Sequence, residues 1–189
     1  MNLRIGIVGS HSVGKTTLAR ELAKRLDTVL IEEQIRVSTE KFAPFGFKSL
    51  AQITTSTWYP HFMFNILIDQ VQQESSAQNG FVSDRTTLDY YAYYELLSHD
   101  PPETREIIKN LFLLRFQASY DLILYLPIAF EIINDGYRSM DDEQRHLADT
   151  RIQELLKPFQ NVAALYEKTP EGRVQEAIGI VQSYQDTII

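Results

Sequence analysis

The chain has 189 residues, 44% of them hydrophobic and 23% charged, which suits one globular domain with one hydrophobic core. Its net charge of −7 argues against a broad surface for nucleic acid or anionic membrane. The sequence has no cysteine, which excludes disulfides and thiolate catalysis. No signal peptide is recognisable, and the apolar run 122–130 is too short to span a bilayer. We therefore expect a single-domain cytoplasmic protein with no nucleic-acid or membrane partner.

The first half of the chain alternates between strand and helix patterns. In chain order it predicts a strand, a helix, a second strand, a loop containing Gly and Pro, and a long helix, at residues 3–8, 17–25, 28–31, 42–47 and 60–78. Asn79-Gly80 then provides the stop signal for the long helix. This alternation favours an α/β fold with a mainly parallel sheet.

The second half continues the same alternation. It predicts a third strand, two helices and a fourth strand, at residues 81–83, 89–97, 103–117 and 122–126. A polar segment, 134–145, then leads into a helix near Lys157. A fifth strand at 162–165 and a closing helix at 171–184 complete the prediction. Five strands separated by helices are compatible with a single domain.

The most informative motif is GSHSVGKTT at residues 9–17, which matches the Walker A pattern G-x-x-x-x-G-K-[ST] between a predicted strand and a predicted helix. Its backbone N–H groups and the helix dipole are expected to hold the phosphates of ATP. Lys15 should reach the β- and γ-phosphates, and the Thr16 hydroxyl should bind Mg²⁺. No catalytic role is assigned to His11. The residues expected to hold the nucleotide are Gly9, Ser12, Val13, Gly14, Lys15, Thr16 and Thr17.

Carboxylates follow the second and third predicted strands, at the edge of the sheet where α/β proteins bind ligands. Asp84 occupies the place of a Walker B aspartate, where it can hold Mg²⁺, bind or deprotonate the acceptor, or pair with Arg85. Glu33 is the better candidate for a general base that accepts the proton of an attacking hydroxyl. The alternatives are that Glu33 is only a solvated charge in a loop, or that Glu32 is the functional residue instead.

Two groups of aromatic residues allow both a structural and a functional interpretation. Either group can stack on a flat ligand ring, although aromatic residues at helical spacing usually pack in a core. The first group begins the long helix and the second lies in the helix after the third strand: Trp58, Tyr59, His61, Phe62 and Phe64, then Tyr90, Tyr91, Tyr93 and Tyr94. Exposed members can also form a dimer interface, so a homodimer remains an expectation.

Several motifs occur together in an order that resembles a known family. They are the loop at 9–17, Glu33-x-x-Arg36, Asp84-Arg85-x-x-x-Asp89-x-x-Ala92-Tyr93 and Asp135-Gly136-Tyr137-Arg138. Together they resemble the AAA-type ATPase-like domain related to ribosylnicotinamide kinases, within the nucleoside and nucleotide kinase superfamily. The Asp-Arg pair is also similar to the corresponding pair in thymidylate kinases.

This resemblance implies a three-layer P-loop fold with a five-stranded parallel sheet in the order 2-3-1-4-5 and a helical lid at about 135–151. It also implies that Arg36, Arg85 and Asp89 hold the acceptor or brace the cleft. Arg138 and Arg145 are seven residues apart, on one face of a helix, where lid arginines can neutralise charge on the transferred phosphoryl group. A surface helix with an Arg–Asp pair through Asp142 is the alternative.

The leading hypothesis is a Mg²⁺-dependent kinase that transfers the γ-phosphoryl group of ATP to a small nucleoside-like or nucleotide acceptor. The catalytic residues would be Lys15, Glu33, Asp84 and Arg138, and the metal ligands Thr16 and Asp84. The alternative is a nucleotide-dependent switch or regulatory ATPase that acts on a protein partner. A classical GTPase is disfavoured because the chain has no Asn-Lys-x-Asp motif.

Overall fold

The computed structural model describes residues 3–129 and 142–188. Five strands form one sheet in which every observed pairing is parallel. Its order is β2-β3-β1-β4-β5, which confirms the order that the resemblance implied. The strands are β1 (Arg4–Val8), β2 (Val29–Ile31), β3 (Phe81–Asp84), β4 (Leu122–Tyr125) and β5 (Val162–Ala164).

Helices connect the strands and cover both faces of the sheet. The described residues form α1 (Lys15–Arg25), α2 (Gln34–Phe42), α3 (Leu50–Thr54), α4 (Tyr59–Ser76), α5 (Thr87–Leu97), α6 (Pro102–Ser119), α7 (Asp142–Leu156) and α8 (Pro170–Ile188). A short 3₁₀ turn, Ala43–Phe45, follows α2. None of the helices within these described ranges is long and apolar enough to cross a membrane.

The helices differ from the sequence prediction in two places. The sequence missed α2 and α3, and the predicted loop 42–47 contains the end of α2 and the 3₁₀ turn, which Gly46 ends with a φ of +93°. In addition, α7 begins at Asp142, earlier than the helix predicted near Lys157 and within the helical lid that the resemblance implied. Because α3 has only five residues and α7 is rich in charged residues, neither carries a strong apolar periodicity.

Apolar side chains alternate between the two faces of the central strand and create two hydrophobic clusters. Ile5 and Ile7 point to the cluster shared with α1 and α8, while Val8 belongs to the cluster shared with α4, α5 and α6. The sheet is therefore the middle of three layers, as predicted. This packing fixes the carboxyl ends of β1, β2 and β3 side by side, and the functional side chains follow those ends.

Candidate functional site

The phosphate loop joins β1 to α1 and has the backbone shape that anion binding requires. A Cβ on Gly9 would lie 2.6 Å from the carbonyl oxygen of Leu126, so only glycine fits there. Gly14 adopts a φ of +90° immediately before α1. Among the described residues, no side chain caps the N-terminus of α1. Its first N–H groups are thus available to an anion such as a phosphate.

Side chains from distant parts of the chain hold the carbonyl groups of this loop. Arg145 of α7 donates from Nη2 to the Ser12 oxygen over 3.3 Å, and Arg173 of α8 donates from Nη1 to the Val13 oxygen over 2.6 Å. Both arginines are almost fully buried. Arg145 Nη1 also lies 3.5 Å from Asp142 Oδ1, as the alternative of an Arg–Asp pair predicted. Arg145 is nevertheless buried and contacts the phosphate loop, which a surface pair does not do. Arg173 was not predicted from the sequence.

Thr16 and Asp84 meet where the sequence predicted a metal site. Thr16 Oγ1 donates a hydrogen bond to Asp84 Oδ2 over 2.6 Å, which joins the start of α1 to the end of β3. Mg²⁺ binds protein oxygens of this kind and takes its remaining ligands from phosphates and water. The two residues therefore fit Mg²⁺ as part of a nucleotide complex. The described residues contain no cluster of three or more His, Asp or Glu side chains that could hold a metal alone.

Glu33 and Arg85 form a buried ion pair between the ends of β2 and β3. Arg85 Nε donates to Glu33 Oε1, and the two side chains are 3% and 9% exposed for Arg85 and Glu33. Burial, the largest single effect, disfavours the charged form of Arg85, but Glu33 together with Tyr93, Asp89 and Tyr90 outweighs burial and holds the pKa of the guanidinium above its usual value. The Glu32 side chain, in contrast, is exposed and forms an ion pair with Arg20. Of the two carboxylates, Glu33 is the one that is buried and lies beside Arg85.

A cavity of about 270 Å³ opens beside this ion pair. Its walls are mostly apolar and come from α2, α3, α4 and α5. Its charged lining residues are Glu33 and Arg85, which form the ion pair. Its lining includes His11, Glu33, Phe62, Arg85, Tyr90 and Tyr93. A largely apolar cavity with a few convergent polar groups is the usual form of a small-molecule site.

Aromatic side chains divide between this cavity and other parts of the molecule. Tyr59 and Phe62 line the cavity, whereas Trp58 is 42% exposed and stacks on Phe45. In α5, Tyr90 and Tyr93 line the cavity. Their neighbours bond to carboxylates instead, Tyr91 to Glu95 and Tyr94 to Asp100. In each group, the residues that line the cavity are thus the candidates for ligand contact, and the others have structural contacts.

Tyr93 links the cavity to the phosphate loop through His11. The backbone N–H of His11 donates to the Tyr93 hydroxyl over 2.8 Å, and His11 Nδ1 lies 2.8 Å from the same oxygen. The Arg85 guanidinium lies 5.6 Å from the centre of the Tyr93 ring. His11 was not recognised from the sequence, because its partner is 82 residues away.

Two of the residues expected to hold the acceptor or brace the cleft, Asp89 and Arg36, are not among the residues that line the cavity. Asp89 is fully buried, and its oxygens accept from the Gly9 N–H, the Thr86 N–H and the Thr86 hydroxyl. These contacts favour bracing of the loop over acceptor binding. Arg36 is exposed and lines a separate depression with Lys48, so we leave it out of the acceptor site. Arg138 lies outside the described residues, as do residues 135–141 of the predicted lid.

The geometry defines a class: a P-loop fold with a nucleotide site and an adjoining small-molecule cavity, as in nucleoside and nucleotide kinases. The profile of a family described as an AAA domain matches residues 4–176. The chain belongs to this AAA domain family. No curated protein sequence matches it.

Solved structures with the same fold include enzymes of nucleoside and nucleotide metabolism. A structure of NadR protein in complex with NR is 26% identical with a TM-score of 0.73, covering 97% of this chain and 51% of that chain. This chain thus spans about half of NadR. Deoxyadenosine kinase from M. mycoides with bound dCTP is 14% identical (TM-score 0.69, coverage 96% and 100%). Thymidylate kinase from Candida albicans is 15% identical (TM-score 0.70, coverage 97% and 92%). The last two show the fold alone.

Proposed function

We propose that this protein is a Mg²⁺-dependent kinase that transfers the γ-phosphoryl group of ATP to a hydroxyl of a small nucleoside-like acceptor. The observation that carries this proposal is the Glu33–Arg85 ion pair, which lines a mostly apolar cavity together with His11 of the phosphate loop. A site that only hydrolysed a nucleotide would not need a second cavity lined by a buried carboxylate. The binding of NR by NadR supports an acceptor of this type.

The donor side of the site would hold Mg²⁺-ATP. The N–H groups at the start of α1 would bind the β-phosphate, and Lys15 would reach the β- and γ-phosphates. At present Lys15 Nζ donates to the Ser10 carbonyl oxygen, which keeps the ammonium group within the loop. Thr16 and Asp84 would hold the metal, which when bound neutralises charge on the phosphates.

The acceptor side would activate the hydroxyl group. Glu33 takes the hydroxyl proton on its carboxylate while the acceptor oxygen forms a bond to the γ-phosphorus. The bond from that phosphorus to the β–γ bridging oxygen breaks, and ADP leaves with the electron pair. Arg85 holds the Glu33 carboxylate in place before the transfer. Arg138, in the lid predicted at 135–151, would neutralise charge on the transferred group.

The charges around the cavity favour an unphosphorylated acceptor over a nucleotide. Arg85 is the only guanidinium among the described lining residues, and Glu33 already faces it. A phosphate on the acceptor would carry close to two negative charges and would lie beside the Glu33 carboxylate without a cation of its own. Like charges this close in a buried site repel strongly. We therefore narrow the acceptor to nucleosides and similar neutral or cationic hydroxyl compounds.

A coupled ADP-release assay tests this proposal. Mg²⁺-ATP is offered with nucleosides, nicotinamide riboside and nucleoside monophosphates, using wild type, Lys15→Ala and Lys24→Ala. Lys24 is exposed on the same helix and serves as the matched control. We expect release that depends on one unphosphorylated acceptor, persists in Lys24→Ala and disappears in Lys15→Ala. Slow release that no acceptor changes would instead favour the nucleotide-dependent switch.

A further inference from the structure

Arg85 has a backbone conformation that an arginine rarely adopts. Its φ of +86° lies in the left-handed region, which favours glycine. Such a residue persists only where its surroundings hold it, and this occurs mainly at functional sites. Both backbone groups of Arg85 are held: its N–H donates to the Ile7 oxygen over 3.2 Å, and its carbonyl accepts from Ser83 Oγ over 2.7 Å.

Ser83 is itself held by a buried glutamine. Gln70 Nε2, on α4, donates to Ser83 Oγ over 2.9 Å and to Glu74 Oε1 over 3.0 Å. Ser83 and Gln70 have no exposed surface, and Glu74 is 5% exposed. Because the Ser83 oxygen accepts from Gln70, its own proton is directed at the Arg85 carbonyl.

Glu74 is anchored in turn by α6 and the residue that follows it. Arg115 donates to Glu74 Oε2 from Nε over 3.0 Å and from Nη2 over 2.5 Å. The Tyr120 hydroxyl donates to Glu74 Oε1 over 2.5 Å. A continuous chain of hydrogen bonds thus runs from Arg115 and Tyr120 through Glu74, Gln70 and Ser83 to the Arg85 backbone.

We propose that Ser83 and Gln70 are positioning residues that hold Arg85 so that its guanidinium stays on Glu33. A buried polar chain of this kind is costly, and a packed apolar core would serve stability as well or better. The chain ends at the one backbone whose conformation sets the Glu33–Arg85 pair. Only the interpretation of Glu33 as the base rests on the proposed kinase function; the effect on Arg85 does not.

The direct test is an NMR measurement of the Arg85 Nε–H group, assigned with Arg85→Lys. In the wild type we expect slow exchange with solvent, because this group is buried and bonded to Glu33. In Ser83→Ala we expect exchange at least about tenfold faster. The Nε–H of Arg173, also buried and bonded to the Glu167 carbonyl, should be unchanged and serves as the internal reference.

Two further variants keep the test decisive. Ser119→Ala removes another buried serine hydroxyl that donates to a backbone carbonyl, that of Arg115, and should leave the Arg85 exchange rate unchanged. Gln70→Met keeps the length of the side chain but cannot donate, so it should accelerate exchange by a smaller factor than Ser83→Ala. Gln70→Met carries the test if Ser83→Ala does not fold. An unchanged exchange rate of the Arg85 Nε–H group in a folded Ser83→Ala variant would overturn the proposal. If Ser83→Ala does not fold, an unchanged rate in Gln70→Met would overturn it.

Kinetics then separate positioning from acceptor binding. With the acceptor found in the ADP-release assay, we expect Ser83→Ala to lower kcat about tenfold and to leave the acceptor KM within about threefold. An equal fall in Ser119→Ala, or a change in KM alone, would contradict a positioning role. The exchange measurement needs no acceptor. A negative kinase assay would therefore reject the proposed function and leave the inference about Arg85 standing on its own test.

Discussion

Two arginine–carboxylate pairs lie at opposite ends of the parallel strands, and they differ in exposure and in backbone conformation. We call the side of the sheet where the strands begin the amino edge and the side where they end the carboxyl edge. At the amino edge, Arg4 donates to Asp121 from its backbone N–H, from Nε and from Nη2, over 2.9, 3.2 and 2.6 Å. The Arg4 and Asp121 side chains are 43% and 27% exposed. At the carboxyl edge, Arg85 and Glu33 are almost fully buried, and Arg85 has the left-handed backbone.

In our proposal the exposed pair serves the fold and the buried pair serves the chemistry. Arg4 and Asp121 begin two neighbouring strands, so their contact follows from the pairing of β1 with β4 and requires no strain. The buried pair requires desolvation of both charges and an unusual backbone, and Arg85 Nη1 has no hydrogen-bond partner among the described residues. An arrangement this costly is retained where function demands it.

The largest expected effect comes from removing the charge of the buried carboxylate. Glu33→Gln should lower kcat at least about 100-fold, because a general base contributes this much to proton transfer. Asp121→Asn, the matched change at the amino edge, should leave kcat within about twofold. Initial rates at saturating Mg²⁺-ATP and acceptor measure both.

Asp84→Asn completes this test of the base assignment. We expect Asp84→Asn mainly to weaken the dependence of the reaction rate on Mg²⁺ concentration, because Asp84 contacts Thr16 and not the ion pair. If neither Glu33→Gln nor Asp84→Asn slows transfer by more than about tenfold, less than about 1.4 kcal/mol of barrier lowering is involved. In that case the base assignment is wrong.

Removing the arginine should affect stability very differently at the two edges. Arg85→Gln leaves the Glu33 carboxylate buried without its counter-charge, which costs about 3–5 kcal/mol of unfolding free energy. Arg4→Gln disrupts a partly exposed pair and should cost about 1 kcal/mol or less. Urea denaturation of both variants measures the difference. Equal losses would contradict the contrast between the two edges.

A smaller effect is expected from the hydroxyl that joins the carboxyl edge to the phosphate loop. Tyr93→Phe removes the acceptor of the His11 N–H but keeps the ring beneath Arg85. We expect the Kd for Mg²⁺-AMP-PNP to rise about fivefold, the equivalent of about 1 kcal/mol for one hydrogen bond. Tyr91→Phe, which loses only a bond to Glu95, is the control. Calorimetry measures both affinities. Equal Kd values in Tyr93→Phe and Tyr91→Phe would contradict a contribution of the His11–Tyr93 hydrogen bond to nucleotide binding.

The smallest effect concerns acid stability at the amino edge. Burial acts to raise the pKa of Asp121, but the hydrogen bonds and charge of Arg4 outweigh it and hold the pKa below its usual value. A carboxyl whose folded pKa is depressed contributes stability above its unfolded pKa, near 3.9, and loses it as the pH falls through the folded value. Asp121→Asn should therefore weaken the decline in unfolding free energy below about pH 4. An unchanged decline would show that other carboxylates cause it.

The sequence predicted the fold and one side of the site well. The Walker A loop has a fixed spacing, and the five apolar runs are compatible with one parallel sheet, so the elements carrying Lys15, Thr16 and Asp84 could be identified. The tip residues Glu33 and Arg85 were also expected to share a cleft. Their ion pair was not predicted, because it depends on how β2 and β3 lie side by side across 52 residues of sequence.

Side chains that act on the site from distant elements could not be predicted in the same way. Arg173 lies on the closing helix and reaches the Val13 carbonyl 160 residues away. Gln70 and Ser83 are polar residues in apolar surroundings, and only their burial against each other shows that they belong together. Arg36, on α2, lines a separate depression and not the cavity, and its role stays a prediction.

The fate of the γ-phosphoryl group tests the central claim most directly. Wild-type protein is incubated with Mg²⁺ and ATP labelled in the γ-phosphate, together with the acceptor that stimulates ADP release, and the products are separated by chromatography. We predict that the label appears in a phosphorylated form of the acceptor, in an amount equal to the ADP released. Label that appears only as inorganic phosphate, with or without the acceptor, would contradict a kinase and indicate a nucleotide-hydrolysing switch.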